Sequence, residues 1–170
     1  MAKLNQFFEK YLTQDTLFKN KKSLQANFTP SEIEFRDEQI DIMASILAPA
    51  LRLEKPSNLF IYGKTGTGKT LAAKHTTEQL KQVARDQNIP LKIFYLNCKL
   101  KKVVDTEYRL LAQLARFFGK AIPSTGLPTD EVYNAFFSAL DSEEQLVILI
   151  LDEIDQLVKR VGDEAVYNLT

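Results

Sequence analysis

The stretch NLFIYGKTGTGKT, Asn58 to Thr70, sends a short apolar run straight into a loop built from glycine, lysine and threonine. Gly63, Lys64, Thr65, Gly66, Thr67, Gly68, Lys69 and Thr70 satisfy the pattern G-x-x-x-x-G-K-[ST] in full. Glycines let a backbone curl until successive N–H groups point inward at anionic oxygens, and a helix beginning at the end of the loop turns its positive terminus toward the same ligand. Lys69 is placed to neutralise β and γ phosphates, and the Thr70 hydroxyl to sit on Mg²⁺. At average residue frequencies the pattern arises by accident in about one chain of this length in a hundred. It predicts a buried strand at Leu59–Tyr62, a helix after Thr70, and ATP or ADP with Mg²⁺ between them.

The complementary half lies far along the chain. LVILILDEID carries Asp152 and Glu153 out of an apolar run, at the carboxyl end of a strand where open parallel sheets bind ligands. Asp152 suits a Mg²⁺ residue, and Glu153 suits the orientation or deprotonation of the water that attacks a γ phosphate. Asp155 has two readings, the cap of a helix starting near Gln156 or a charge that tunes the site from behind Asp152, and the cap is the favoured one. His75 reads as a packed histidine and Cys98 as a small buried residue at a strand end.

Between these halves, LKIFYLN (91–97) and LVILILD (146–152) lack polar alternation, as strands covered on both faces do. Helical spacing predicts a helix from about Arg36, ended or kinked at Pro49, and a second marked by Leu71, Ala72, His75 and Val83. A third carries Tyr108, Leu111, Leu114, Ala115 and Phe118 and is closed by Gly119, and a fourth is capped by Thr129. Strands alternating with helices argue an α/β fold with a parallel sheet. Before it, residues 3 to 13 have amphipathic spacing, a polar arm follows, and Thr29, Pro30 and Glu32 form a capping box. The expected division is therefore an N-terminal helix and arm at 1–28 and an ATP-binding core at 29–170.

Composition bounds the partners. Of 170 residues, 22 are basic and 22 acidic, so no field over the whole chain announces nucleic acid or membrane. One cysteine and one histidine leave neither an internal disulfide nor a zinc cluster. No apolar run approaches the length that spans a bilayer, and the start has no signal-peptide core. The sequence reads as that of a cytoplasmic globular protein with no membrane partner.

Several stretches resemble one family, the origin-recognition and cell-division-control initiators of archaeal and eukaryotic DNA replication, a clade of AAA+ ATPases. They are FTPSEIEFRDEQI, SILAPAL leading into PSNLFIYGKTGTGKT, YLNCKL, IPSTGLPTDEVYNAFFSALD, and LVILILDEIDQLV followed by GDEAVYNLT. The resemblance, closest to the archaeal members, implies a three-layer P-loop NTPase (AAA+) fold. It implies slow, switch-like ATP hydrolysis in a nucleoid-associated protein that marks origin DNA and helps load the replicative helicase alongside other initiator subunits. It carries over Gly63 to Thr70 as phosphate loop, Asp152 as Mg²⁺ residue and Glu153 as catalytic acid. It also places the segment around Phe28, Ile33 and Arg36 over the adenine. It puts an extra, DNA-touching helix at Asp105–Phe118 with its loop through Pro128, near Lys99, Lys101, Lys102, Arg116 and Lys120.

The resemblance also implies that the chain stops before the strand with the sensor polar residue, the arginine finger, the helical lid and the winged-helix domain. The parallel sheet is then incomplete, because that strand lies between the P-loop strand and the acidic strand in AAA+ sheets. Leu59–Tyr62 and Leu146–Leu151 are left without a neighbour to pair across, as in a fragment of a longer protein. Origin DNA contacts then fall mainly in regions absent here. Two alternatives stay open: a fragment that only binds nucleotide, and an AAA+ regulator of another DNA transaction.

Overall fold

The computed structural model describes Leu4, Phe8, Glu9 and residues 33–99, 106–123, 126–141 and 144–169. The chain divides into compact units at Met1–Ile33 and Glu34–Thr170. In the first, Leu4, Phe8 and Glu9 are helical, within the predicted 3–13 helix. The predicted capping box and Phe28 lie outside the described residues, as do Lys101 and Lys102.

The second unit opens with helix α1, Asp37–Leu47, followed by a 3₁₀ helix at Ala48–Arg52. Pro49 stands in the first turn of that 3₁₀ helix, so the α-helix ends where proline predicts. Helix α2 is Lys69–Asp86, strand β1 Leu91–Asn97, helix α3 Glu107–Phe117 and helix α4 Thr129–Leu140. Strand β2, Leu146–Asp152, is followed by α5, Ile154–Val161, and the short α6, Glu164–Tyr167.

β1 and β2 form a parallel pair in unbroken register, from Leu91 opposite Leu146 to Asn97 opposite Asp152. Side chains alternate across a strand, so each face of this pair has its own set. Leu96 and Cys98 join Leu110, Leu111, Leu114, Val132, Phe136 and Leu157 in a buried core against α3 and α4. Phe94 stacks there on Phe117 at 4.5 Å and meets Phe118 edge-on at 5.3 Å. The opposite face turns Tyr95 toward α2, whose Lys74 ammonium lies 4.1 Å from the ring centroid. Helices therefore cover both faces, giving the three layers of a P-loop α/β fold.

Local chemistry explains the helix ends. The Thr106 hydroxyl accepts the Arg109 N–H at 3.3 Å and caps α3. α3 closes through Gly119, whose φ of 76° is the left-handed turn that glycine adopts without penalty. Its Leu110, Leu111 and Leu114 are buried, each contributing about 2 kcal/mol of hydrophobic stabilisation. α4 corrects one expectation: its N-cap is Pro128, with no side-chain cap, and Thr129 is already helical.

The larger correction concerns Leu59–Tyr62, which form no strand. Phe60 is 74% and Tyr62 82% exposed, and the backbone from Glu54 to Lys64 is irregular. The physical reason lies across the gap. Among the described residues β2 pairs only with β1 and no strand lies between β2 and this segment, and an apolar run without a ladder has nothing to satisfy its backbone in extended pairing. For the same reason every residue of β2 is only half-buried, although its composition suits a covered strand.

Candidate nucleotide site

The loop Gly63–Thr70 curls through glycines at positive φ: Gly63 at 149°, Gly66 at 81° and Gly68 at 83°. At the last two a side chain would strain the left-handed backbone. Within the turn the Thr67 hydroxyl donates to the Lys64 carbonyl at 2.9 Å. The Lys69 ammonium donates to the carbonyls of Gly63 at 2.9 Å and Lys64 at 2.8 Å, which folds the lysine back across the loop. From outside, the Arg36 guanidinium donates to the Thr67 carbonyl at 2.9 Å. Gly68 then caps α2, so the loop runs directly into a helix N-terminus.

Asp152 ends β2 on the same face as Tyr95 and Asn97, and that face looks toward the start of α2. The Thr70 hydroxyl donates to both carboxylate oxygens of Asp152, 3.1 Å from each. Tyr95 donates to Oδ2 at 2.5 Å, Asn97 reaches the same oxygen at 3.5 Å, and the Glu153 N–H donates to Oδ1 at 3.1 Å. Residues 82 positions apart in sequence thus meet at one carboxylate.

Burial, and then the bond donated to Asp152, push the Tyr95 hydroxyl up to about 12. Cys98 follows β1, is fully buried and donates its N–H to the Asp152 carbonyl at 2.9 Å. Burial, and then the Asp152 charge, raise its thiol to about 11. Cys98 is the small buried residue at a strand end that the sequence predicts.

Glu153 is exposed and takes a φ of 56° as the N-cap of α5, a left-handed conformation uncommon for glutamate and found often at functional sites. Asp155 is not the cap. It sits in the first turn of α5 and pairs with Lys159 at 2.8 Å, a bond that holds its carboxyl below the usual range. Of the basic residues named near α3, Lys99 and Lys120 are exposed, while Arg116 donates to the Ile122 carbonyl at 3.1 Å.

A cavity of about 950 Å³ joins the two halves, with Gly63, Lys69, Thr70, Asp152 and Glu153 on its wall. It continues between the exposed Leu59–Tyr62 segment and the open edge of β2. A second cavity of about 670 Å³ lies between Arg36, Ile42, Met43, Tyr62 and Gly68. The donor set suits magnesium, a hard ion that takes a carboxylate and a hydroxyl and leaves its other positions to water and phosphate. Among the described residues no group of three or more His, Cys, Asp or Glu forms a metal cage, and no helix is long and apolar enough to cross a membrane.

Sequence reasoning missed Tyr95 and Asn97. Their signal was alternation: Tyr95 and Asn97 share a face of β1, and parallel register sets Asn97 beside Asp152. Only the pairing reveals that the face belongs to the site.

The family model described as an AAA domain matches residues 52–170. An ORC1-type DNA replication protein of Pyrococcus furiosus is 48% identical over 172 residues, covering 99% of this chain and 40% of the relative. The ORC1-type DNA replication protein 1 of Methanosarcina mazei is also 48% identical, over 98% of this chain and 39% of its own. Among solved structures, the Aeropyrum pernix ORC1 protein in complex with DNA superposes with a TM-score of 0.84 at 34% identity, covering 92% of this chain and 40% of that one. The Aeropyrum pernix ORC2 protein, in ADPNP and ADP complexes, gives a TM-score of 0.71 at 25% identity, over 91% of this chain and 40% of that one. The chain spans about 40% of the length of the curated relatives it matches.

Proposed function

The chain belongs to the AAA domain family and is similar to archaeal ORC1-type proteins, and from that premise we propose that it is the ATP-binding and slowly hydrolysing module of a DNA replication initiator. The observation that carries this reading is the contact of Thr70 with Asp152, which joins the exit of a glycine loop to the end of an acidic strand. In this reading the amides of Gly63, Lys64, Thr65, Gly66, Thr67 and Gly68 surround the phosphates. Lys69 exchanges its carbonyl partners for β and γ phosphate oxygens. Thr70 and Asp152 hold Mg²⁺, which when bound neutralises charge that develops on the phosphates. Glu153 orients the attacking water and accepts its proton. The apolar walls of the second cavity, Ile42 and Met43 among them, suit an adenine ring.

Origin DNA and the replicative helicase are partners of the whole initiator in this reading. The solved relative in complex with DNA supports the first of them.

Lys69→Ala removes charge-assisted bonds to phosphate, and ATP affinity measured by titration calorimetry should fall about a hundredfold. Affinity equal to wild type would exclude the site. Glu153→Gln should bind ATP as wild type does and turn it over more slowly.

One observation favours a second reading. Among the described residues the larger cavity carries Lys55 and Lys69 as its cations against Asp152, Glu153 and Asp155, a small positive complement for phosphoryl transfer. On that balance this chain binds nucleotide without hydrolysing it. Steady ATP turnover that Glu153→Gln abolishes would decide for hydrolysis.

A further inference from the structure

The geometry points to Tyr95 as a positioning residue that fixes the Asp152 carboxylate for its metal ion, an inference that rests on the nucleotide reading above. The terminal torsion of an aspartate is soft, so a carboxylate at a strand end turns freely unless both oxygens are anchored. Here the Thr70 hydroxyl lies 3.1 Å from both, and each oxygen is also held from a different element. Oδ1 accepts the Glu153 N–H at 3.1 Å, from the backbone that continues β2. Oδ2 accepts the Tyr95 hydroxyl at 2.5 Å, from the neighbouring strand. Asn97 reaches Oδ2 only at 3.5 Å, the far limit of a hydrogen bond, so it cannot substitute for the tyrosine.

Tyr95 is itself held. Its backbone lies in register with Ile150, two residues before Asp152 on the partner strand, and its ring carries the Lys74 ammonium at 4.1 Å. Lys74 in turn belongs to α2, the helix that begins at the glycine loop. The tyrosine therefore joins the strand that bears the acid, through its hydroxyl, to the helix that bears Lys69 and Thr70, through its ring.

The bond on Oδ2 sets the plane of the carboxylate, whose two oxygens also accept the Thr70 hydroxyl at 3.1 Å, and that plane fixes the direction the group presents to a cation beside Thr70. Magnesium demands near-octahedral directions, and a ligand free to rotate meets them poorly. Partners that orient a metal ligand typically govern affinity for the ion by a factor of ten or more. A ring that merely filled space would act on folding instead, and would weaken binding with and without metal alike.

The test is Tyr95→Phe, which keeps the ring and its contact with Lys74 and deletes the hydroxyl. Binding of a fluorescent ATP analogue to the 170-residue chain would be titrated against Mg²⁺ and, separately, measured in excess EDTA. The Mg²⁺ concentration at half-saturation should rise about tenfold, while affinity in EDTA stays within about twofold of wild type. An unchanged Mg²⁺ midpoint overturns the inference, and so does an equal loss in EDTA. A wild-type chain that binds no nucleotide under either condition overturns the nucleotide reading with it.

Should the variant fail to fold, the wild-type chain still decides. The Tyr95 ring resonances should move when Mg²⁺ is added to the preformed nucleotide complex. Resonances that stay in place sink the inference.

Discussion

The two edges of β2 differ more than their sequence would suggest. On one side Leu146–Asp152 pair residue for residue with β1, and the ladder ends in the cluster of Thr70, Tyr95 and Asp152. On the other side stands Leu59–Tyr62, as rich in apolar and aromatic residues as β1, yet irregular and exposed. NLFIY and LKIFYLN are nearly interchangeable by β-propensity. The contrast teaches that the partner decides whether such a run becomes a strand. It also separates the site into an acid end that packing holds in place and a segment leading into the loop that packing does not hold.

Amide exchange is the most sensitive way to break this comparison. The Cys98 N–H, bonded to the Asp152 carbonyl at the end of the ladder, should exchange about a thousandfold more slowly than the amides of Phe60 and Tyr62. Comparable protection in both places would mean that Leu59–Tyr62 is paired in solution.

Core substitutions sharpen the same contrast at lower amplitude. Leu111 is fully buried, and Leu111→Ala should cost about 3 kcal/mol in a urea melt. Phe60→Ser, at a residue 74% exposed, should cost less than about 0.5 kcal/mol. A large loss from Phe60→Ser would place that ring in a core.

The smallest effect concerns pH. The Cys98 thiol is raised from 9.0 to about 11, so the folded chain holds the proton more tightly than the unfolded one. Its contribution to stability is complete below pH 9 and fades as pH rises through about 11. The melting temperature of wild type should fall across that interval more than that of Cys98→Ala. Iodoacetamide should label the thiol at pH 8 only as fast as the chain unfolds, and rapid labelling of the folded protein would show the paired side to be open.

What could be read from the sequence was what is encoded locally. The glycine loop, the Asp152–Glu153 pair and the main helices follow from spacing within a few turns, and so does the α/β class. Tyr95 escaped because its role depends on register with a strand more than 50 residues away. The Leu59–Tyr62 strand was misread because its composition suits a sheet while its backbone finds none. Thr129 and Asp155 show the finer grain. Each lies within two residues of a helix start, where a proline or a glutamate at positive φ, rather than the nearest polar side chain, set the boundary.

The uncovered edge of β2 has a practical consequence. β1 carries Lys92, a charge that discourages strand addition, whereas Leu146–Leu151 contain neither charge nor proline. A segment of that composition is a template for cross-β stacking, and it carries no charge of its own to oppose it. Raising the protein concentration should therefore shorten the time this chain stays dispersed, and a single lysine at a half-buried position of β2 should act as a gatekeeper.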